Sequence, residues 1–256
     1  MAIITLLTDF GYSDHYVAAV KAKILSINPS LTIVDISHQV DIGDLAHTAH
    51  LLTSVYQKFP KGTSHLISVG TTGRPDEKHL ALKLNEHYFI GTDNGLFGLI
   101  SDNDGMAVDI SSKNSANNTF IATEILAPAA AKIASGATFH DLGPAMADYK
   151  KMLKRHLKAT KKLIAGHVIR VDHYGNLITN IDKEPFDILS KDKSFTISFG
   201  RYHARRINDF YSQVEPGDYF VVFNSSGVLE IGIYQGNAAQ LLGIEFDSPV
   251  MINFEE

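Results

Sequence analysis

The spacing of apolar and polar positions changes character along the chain. An apolar-rich run over residues 3–7 stops at Thr8-Asp9-Phe10-Gly11, and from residue 16 the apolar positions Val17, Val20, Ile24 and Ile27 recur at helical spacing. Asn28-Pro29 closes that helix. The pattern then predicts a strand over 31–36, a helix over 44–59 ended by Pro60-Lys61-Gly62, and strands over 64–69, 80–84 and 87–90. A short Ala-rich helix is predicted over 128–135, closed by Gly136. Alternating strands and helices imply a mainly parallel sheet covered by helices. Residues 148–162 are rich in Lys, show little patterning and read as a linker or surface connector. Beyond them short strands are predicted over 166–171, 177–181, 194–199, 219–224, 229–234 and 251–254, the texture of a small β-barrel or sandwich. We therefore expect an α/β N-terminal domain with a mainly parallel sheet over residues 1–158. A small β-barrel C-terminal domain should follow over 159–256.

Ligands of open α/β sheets bind at the carboxyl ends of the strands, which is where Thr8-Asp9-Phe10-Gly11 falls. An ionised Asp offers two acceptor oxygens, suited to the vicinal hydroxyls of a ribose. Position alone favours a helix-capping role for Asp14 and leaves Asp9 open between capping and binding. Further polar clusters stand at Asp35-Ile36-Ser37-His38, Thr92-Asp93-Asn94-Gly95, Asp172-His173-Tyr174-Gly175-Asn176 and Asn224-Ser225-Ser226-Gly227. Each is as compatible with a turn as with a site. No spacing matches a zinc or P-loop motif, and His47 and His50, without a matching acid, read as surface or packing residues.

Composition narrows the classes. The 256 residues, 45% hydrophobic, suit one large or two smaller globular domains. A net charge of −5 gives no global basic field for nucleic acid or an anionic membrane. There is no cysteine, which excludes disulfides and thiolate chemistry and points to a cytoplasmic protein. No signal-peptide pattern opens the sequence and no apolar run would span a bilayer.

Six stretches in order carry a resemblance: "LLTDFGYSDHYVAAVKAKI", "IVDISHQVDIGD", "GTDNGLFGL", "APAAAKIASG", "VIRVDHYGNLITNI" and "NSSGVLEIGIYQGNAAQLLG". Together they resemble the S-adenosyl-L-methionine (SAM) hydroxide adenosyltransferases, or SAM hydrolases, relatives of the fluorinase and chlorinase enzymes. The resemblance spans nearly the whole chain. It implies an α/β domain, a β-barrel domain and a homotrimer whose ligand lies between the N-domain of one subunit and the C-domain of its neighbour. SAM would be substrate or ligand, with no cofactor and no metal. By motif, Asp9 would bind the ribose hydroxyls and Asp172 the methionine ammonium, with Ser225 at the carboxylate. Ser226 stands level between binding and turn, because it lacks the charge of an Arg. Asn176 would read the adenine edge, Tyr174 would stack on the base, and Ala238 would bring its backbone to the adenine. For Asp172, Tyr174 and Asn176 binding outweighs the turn reading.

The resemblance also marks a departure. SAM hydrolases carry a "VDPGVG" segment with a downstream Arg, and an "HGRD" segment, whose Asp, Arg and His activate water. Here the first reads "SVGTTGRPDEK", with Val69 or Gly70 at the Asp position according to where one gap falls. Only Arg74 and Lys78 lie nearby as bases. In "TFIATEILAP" Ile121 replaces the His, Thr123 the Arg and Glu124 the Asp. Thr72 and Glu124 are the candidates to hold a water instead. Thr72 falls at the Thr of the halogenating enzymes, but Val69 replaces their Tyr, which speaks against halogenation. The expected activity is therefore slow or altered attack of water on C5′ of SAM, giving adenosine and L-methionine. The alternative is a non-catalytic SAM- or adenosine-binding protein.

Overall fold

The computed structural model describes residues 2–100, 105–111 and 119–255. By its contacts the chain forms two units, Met1–Lys154 and Arg155–Glu256.

In the first unit β1 (Ile3–Thr8), α1 (Tyr16–Ile27), β2 (Thr32–Ser37), α2 (Leu45–Val55) and β3 (Ser64–Ser68) alternate as the pattern predicts. There follow β4 (His79–Leu84), β5 (His87–Thr92), α3 (Leu96–Ile100), β6 (Met106–Asp109), α4 (Ala127–Ala134) and β7 (Ala145–Met146). The seven strands lie in the order β2-β1-β3-β5-β4-β6-β7. Pairs from β2 to β5 are parallel and pairs from β5 to β7 antiparallel, so the sheet is mixed rather than mainly parallel. The cause is local. Only Asn85 and Glu86 join β4 to β5, both at positive φ (50° and 62°), as in a tight hairpin turn, and two residues cannot make a parallel crossover.

Both faces of this sheet are covered. Ile4 and Leu6 of β1 pack with Val20 and Ile24 of α1 and with Ala127, Ala130 and Ala131 of α4. Leu7, on the opposite pleat, packs with Leu52 of α2 and Phe97 of α3. Ahead of α4, residues Ala122–Leu126 form a π-helical turn, so the helix begins earlier than the Ala-rich run suggests. Away from the carboxyl edge, the buried His65 of β3 bonds Thr5 through Nδ1 (2.7 Å) and His87 through Nε2 (3.2 Å). Its ring stacks on Phe89 at 5.0 Å.

The second unit contains β8 (Lys158–Thr160), β9 (Leu163–Val171), β10 (Leu177–Asp182), α5 (Lys183–Ser190), β11 (Ser194–Phe199) and β12 (Tyr202–Ala204). It continues with β13 (Tyr219–Phe223), β14 (Val228–Ile233), α6 (Ala238–Leu242) and β15 (Pro249–Glu255). Every strand pairing is antiparallel, in the order β12-β11-β15-β9-β10-β14-β13, with β8 added to β9. The two ends of that path meet where Tyr219 Oη donates to the His203 carbonyl at 2.7 Å. The result is one nearly closed, barrel-like sheet rather than two packed sheets, filled by Ile164, Ile197, Phe199, Ile231 and Ile252.

Candidate functional site

The parallel half of the first sheet ends its strands on one edge, where Asp9 follows β1. Its Oδ2 accepts the backbone N–H groups of Gly43 at 3.1 Å and Gly70 at 3.0 Å. One carboxylate oxygen thus ties together the loops after β1, β2 and β3. Both glycines hold positive φ (74° and 64°), the region a side chain disfavours. Asn94 adds a bond from Nδ2 to the Val69 carbonyl at 3.0 Å. Asp9 caps no helix. Nor does Asp14, as position had suggested: the N-cap of α1 is His15, with no side-chain cap bond, while α2 is capped by Asp44. Thr8 Oγ1 lies 2.7 Å from Nδ1 of the buried His38. His38 Nε2 in turn comes within 3.2 Å of Asp35 Oδ1, without the alignment of a hydrogen bond.

The departing segment has a structure of its own. Val69 and Ile121 are buried at 2% and 4% exposure, and Gly70, the other residue that the resemblance sets at the Asp position, donates its N–H to Asp9. The Thr72 N–H and hydroxyl both donate to Glu77 Oε1, and the Gly73 N–H donates to Glu77 Oε2. The Thr72 proton is therefore already committed. Glu124 lies exposed on the π-helical turn and, among the described residues, accepts only from Thr123 Oγ1, at 3.4 Å. Phe120, just before that turn, packs on Phe10 and Tyr16 with ring centroids 5.5 and 5.3 Å apart, which holds the segment against the Asp9 loop. Thr71 Oγ1 meets Thr92 Oγ1 at 2.9 Å, and Thr92 Oγ1 meets His79 Nδ1 at 3.2 Å.

In the second unit the loop from β9 to β10 and the turn from β13 to β14 stand at opposite ends of the β10–β14 pairing, and Glu230 between them reaches both. Asp172 Oδ1 accepts the N–H groups of Tyr174 (2.9 Å) and Asn176 (2.8 Å), shaping the loop from β9 to β10. Asn176 Nδ2 donates to Glu230 Oε1 at 3.0 Å and lies 3.4 Å from Asp172 Oδ2. Asn224 Nδ2 donates to Glu230 Oε2 at 3.0 Å, and Asn224 Oδ1 accepts the Ser226 N–H at 2.9 Å. Glu230, 4% exposed, therefore clamps the Asp172–Asn176 loop to the Asn224–Gly227 turn. Burial raises its carboxyl above the ordinary range and Asp172 adds to the rise, against hydrogen bonds from Asn224, Tyr211 and Asn176 that lower it. Gly175 lies against Asn237, and the Ala239 N–H donates to the Gly175 carbonyl, so Ala238 at the start of α6 joins the group. Tyr174 is 75% exposed and Ser225 and Ser226 are exposed. A separate cleft of about 820 Å³, lined by His203, Arg205, Arg206 and Asp218 among others, holds none of the candidate residues. Among the described residues no three His, Asp or Glu side chains gather as metal ligands, and no helix is long and apolar enough to cross a membrane.

The model of the SAM hydroxide adenosyltransferase N-terminal domain matches residues 4–143, and that of the C-terminal domain matches 166–251. The chain belongs to this family. Relatives of this adenosyltransferase-family chain include the (R)-S-adenosyl-L-methionine hydrolase of Methanocaldococcus jannaschii, 29% identical over 95% of this chain and 93% of that one. The Thermus thermophilus protein of the same name is 27% identical over 98% of this chain and 100% of its own. A fluorinase from Nocardia brasiliensis is 27% identical over 73% of each. Among solved structures, an uncharacterized conserved protein from Thermotoga maritima superposes with a TM-score of 0.86 at 28% identity, over 98% of this chain and 99% of that one. A family member of this kind was legible from motifs. The bonds of Glu230 to Asn176 and of Thr71 to Thr92 were not, because they join segments 54 and 21 residues apart; Glu77 was missed although Thr72 and Gly73 lie only five and four residues away.

Proposed function

We propose that this chain is a SAM-cleaving enzyme in which water attacks C5′ in line with the departing methionine sulfur, giving adenosine and L-methionine at low turnover. The family match across both units carries this reading. The site residues fit it. Among the described residues Asp9 Oδ1 has no hydrogen-bond partner, which leaves it for ribose hydroxyls, while the loops clamped by Glu230 offer a carboxylate, an exposed ring and a serine turn for the amino acid and the purine. The sulfonium is already a good leaving group, so alignment and exclusion of bulk water supply much of the acceleration. A second reading, a non-catalytic SAM or adenosine binder, is favoured by Val69 and Ile121, which are buried and apolar and cannot act on water. We further propose a homotrimer that shares its sites between subunits, and a cytoplasmic location. Chromatography of purified protein incubated with SAM decides between the first two readings: adenosine formation supports the enzyme, and tight binding without adenosine supports the binder. Light scattering tests the trimer, and a monomer at micromolar concentration would remove the shared site.

A further inference from the structure

Behind the edge that holds Asp9 runs a chain of hydroxyls ending on an imidazole. Thr71 stands next to Gly70, whose N–H is held by Asp9, and is half-buried. From it the chain passes inward through Thr92 (4% exposed) to His79 (1% exposed). Only the Thr71 end is open. A hydroxyl both donates and accepts, so such a chain can pass a proton in one direction when its last member is a neutral imidazole with a free acceptor nitrogen.

Other polar groups at this edge are less suited. Thr8, paired with His38, is 1% exposed and cannot meet a ligand. Thr72 already donates its proton to Glu77. Glu124 sits outside, on Thr123. Ser68 approaches Thr71 only to 3.4 Å.

We propose that Thr71, Thr92 and His79 form the proton relay that serves the attacking water in place of the missing triad. This inference rests on the hydrolytic reading above. The water oxygen forms a bond to C5′ while the C5′–S bond breaks and its electron pair stays on the methionine sulfur, which becomes a neutral thioether. The water proton passes to Thr71 Oγ1, the Thr71 proton to Thr92 Oγ1, and the Thr92 proton to His79 Nδ1. His79 begins neutral with its proton on Nε2 and ends as imidazolium. Burial lowers its pKa, which keeps it neutral at rest, while Glu77 and Asp109 oppose that shift and favour the imidazolium once formed. Thr71 would touch the reacting water; Thr92 and His79 act through it.

The test pairs single-turnover adenosine formation with calorimetric SAM binding for the natural protein, Thr92→Val, Thr92→Ser and the double variant Thr71→Val/Thr92→Val. Thr92→Val keeps the shape and removes the hydroxyl. We expect it to slow turnover about 100-fold, the lower end for a lost general base, with SAM affinity unchanged within about twofold. Thr92→Ser should restore the rate, and the double variant should be no slower than the single one, because the links act as a unit. Unchanged turnover in Thr92→Val would overturn the relay and leave the hydrolase standing. Equal losses of affinity and rate would also overturn it, in favour of a packing role. SAM binding without adenosine in the natural protein would overturn both relay and catalysis but leave the binding reading. No SAM binding at all would overturn every level.

Discussion

The buried histidine pair makes the acid stability of the first unit calculable. His65 is fully buried, with its ring nitrogens bonded to Thr5 and His87 and no room for an added charge. Burial, with His87 beside it, lowers its pKa from 6.5 to about 3. The native state therefore keeps His65 neutral while the unfolded chain protonates it near 6.5. Stability from this group is complete above pH 6.5 and is lost as pH falls toward 3. At pH 5 the unfolded histidine carries nearly one proton and the native one almost none. The slope is then about 1.3 kcal/mol per pH unit, and the loss between pH 7 and 5 about 2 kcal/mol. His65→Gln keeps a donor and an acceptor but does not titrate. Urea unfolding followed by circular dichroism at pH 7, 6 and 5 would compare the two proteins. With His87 also replaced by Gln in both proteins, since it is bonded to His65, the remaining groups titrate alike and cancel in the difference. The protein that keeps His65 should lose about 2 kcal/mol more than the one that lacks it over this range. In an NMR titration the His65 ring should show no midpoint above pH 5. Parallel pH dependences, or a His65 midpoint near 6.5, would refute the reasoning.

Other outcomes follow from single contacts. Asp9→Ala removes the acceptor from two backbone amides and should cost about 1.5–3 kcal/mol of stability. Asp9→Asn keeps a carbonyl oxygen for those amides and should cost less. Both should weaken SAM binding by calorimetry; full affinity in Asp9→Asn would leave Asp9 a loop-holding role alone. Glu230→Ala strands the amides of Asn176 and Asn224, each at about 1–3 kcal/mol, and should loosen both loops in hydrogen exchange. The raised Glu230 carboxyl works opposite to His65: its relative stabilisation is complete below the ordinary 4.5 and is lost as pH rises through its raised native value, so Glu230→Gln should flatten that part of the pH profile. Gly70→Ala finds its nearest neighbours at 3.5–3.6 Å, so its cost of about 1–2 kcal/mol comes from the positive φ and should appear as a lower melting temperature.

Elements with a strong local period were readable in the sequence. The stripe Val17, Val20 and Ile24 gave α1 its bounds because all three face the core. The antiparallel turn of β4 onto β5 could have been read from the two residues between them, but strand alternation alone did not reveal it. Glu230 escaped because a polar residue between Leu229 and Ile231 looks like the solvent side of a strand, whereas here both sides are covered. Asp9 was placed by its position after an apolar run, but its bonds to Gly43 and Gly70 join residues 34 and 61 positions away. Thr71, Thr92 and His79 lie in three segments that nothing in the linear order groups together.

The π-helical turn at Ala122–Leu126 has a consequence for how this protein can change. Such a turn accommodates one residue more than the α-helical ladder requires. Deleting one residue there would restore the ladder and rotate everything upstream of it by about 100° relative to α4. Phe120 would leave Phe10 and Tyr16, and the Asp9 loop would lose its neighbour. The direction in which Glu124 projects is thus set by the length of the segment as well as by its side chains. A library of point substitutions at 120–126 samples one register alone, and insertions or deletions are the changes that would bring a different face of this helix to the loop.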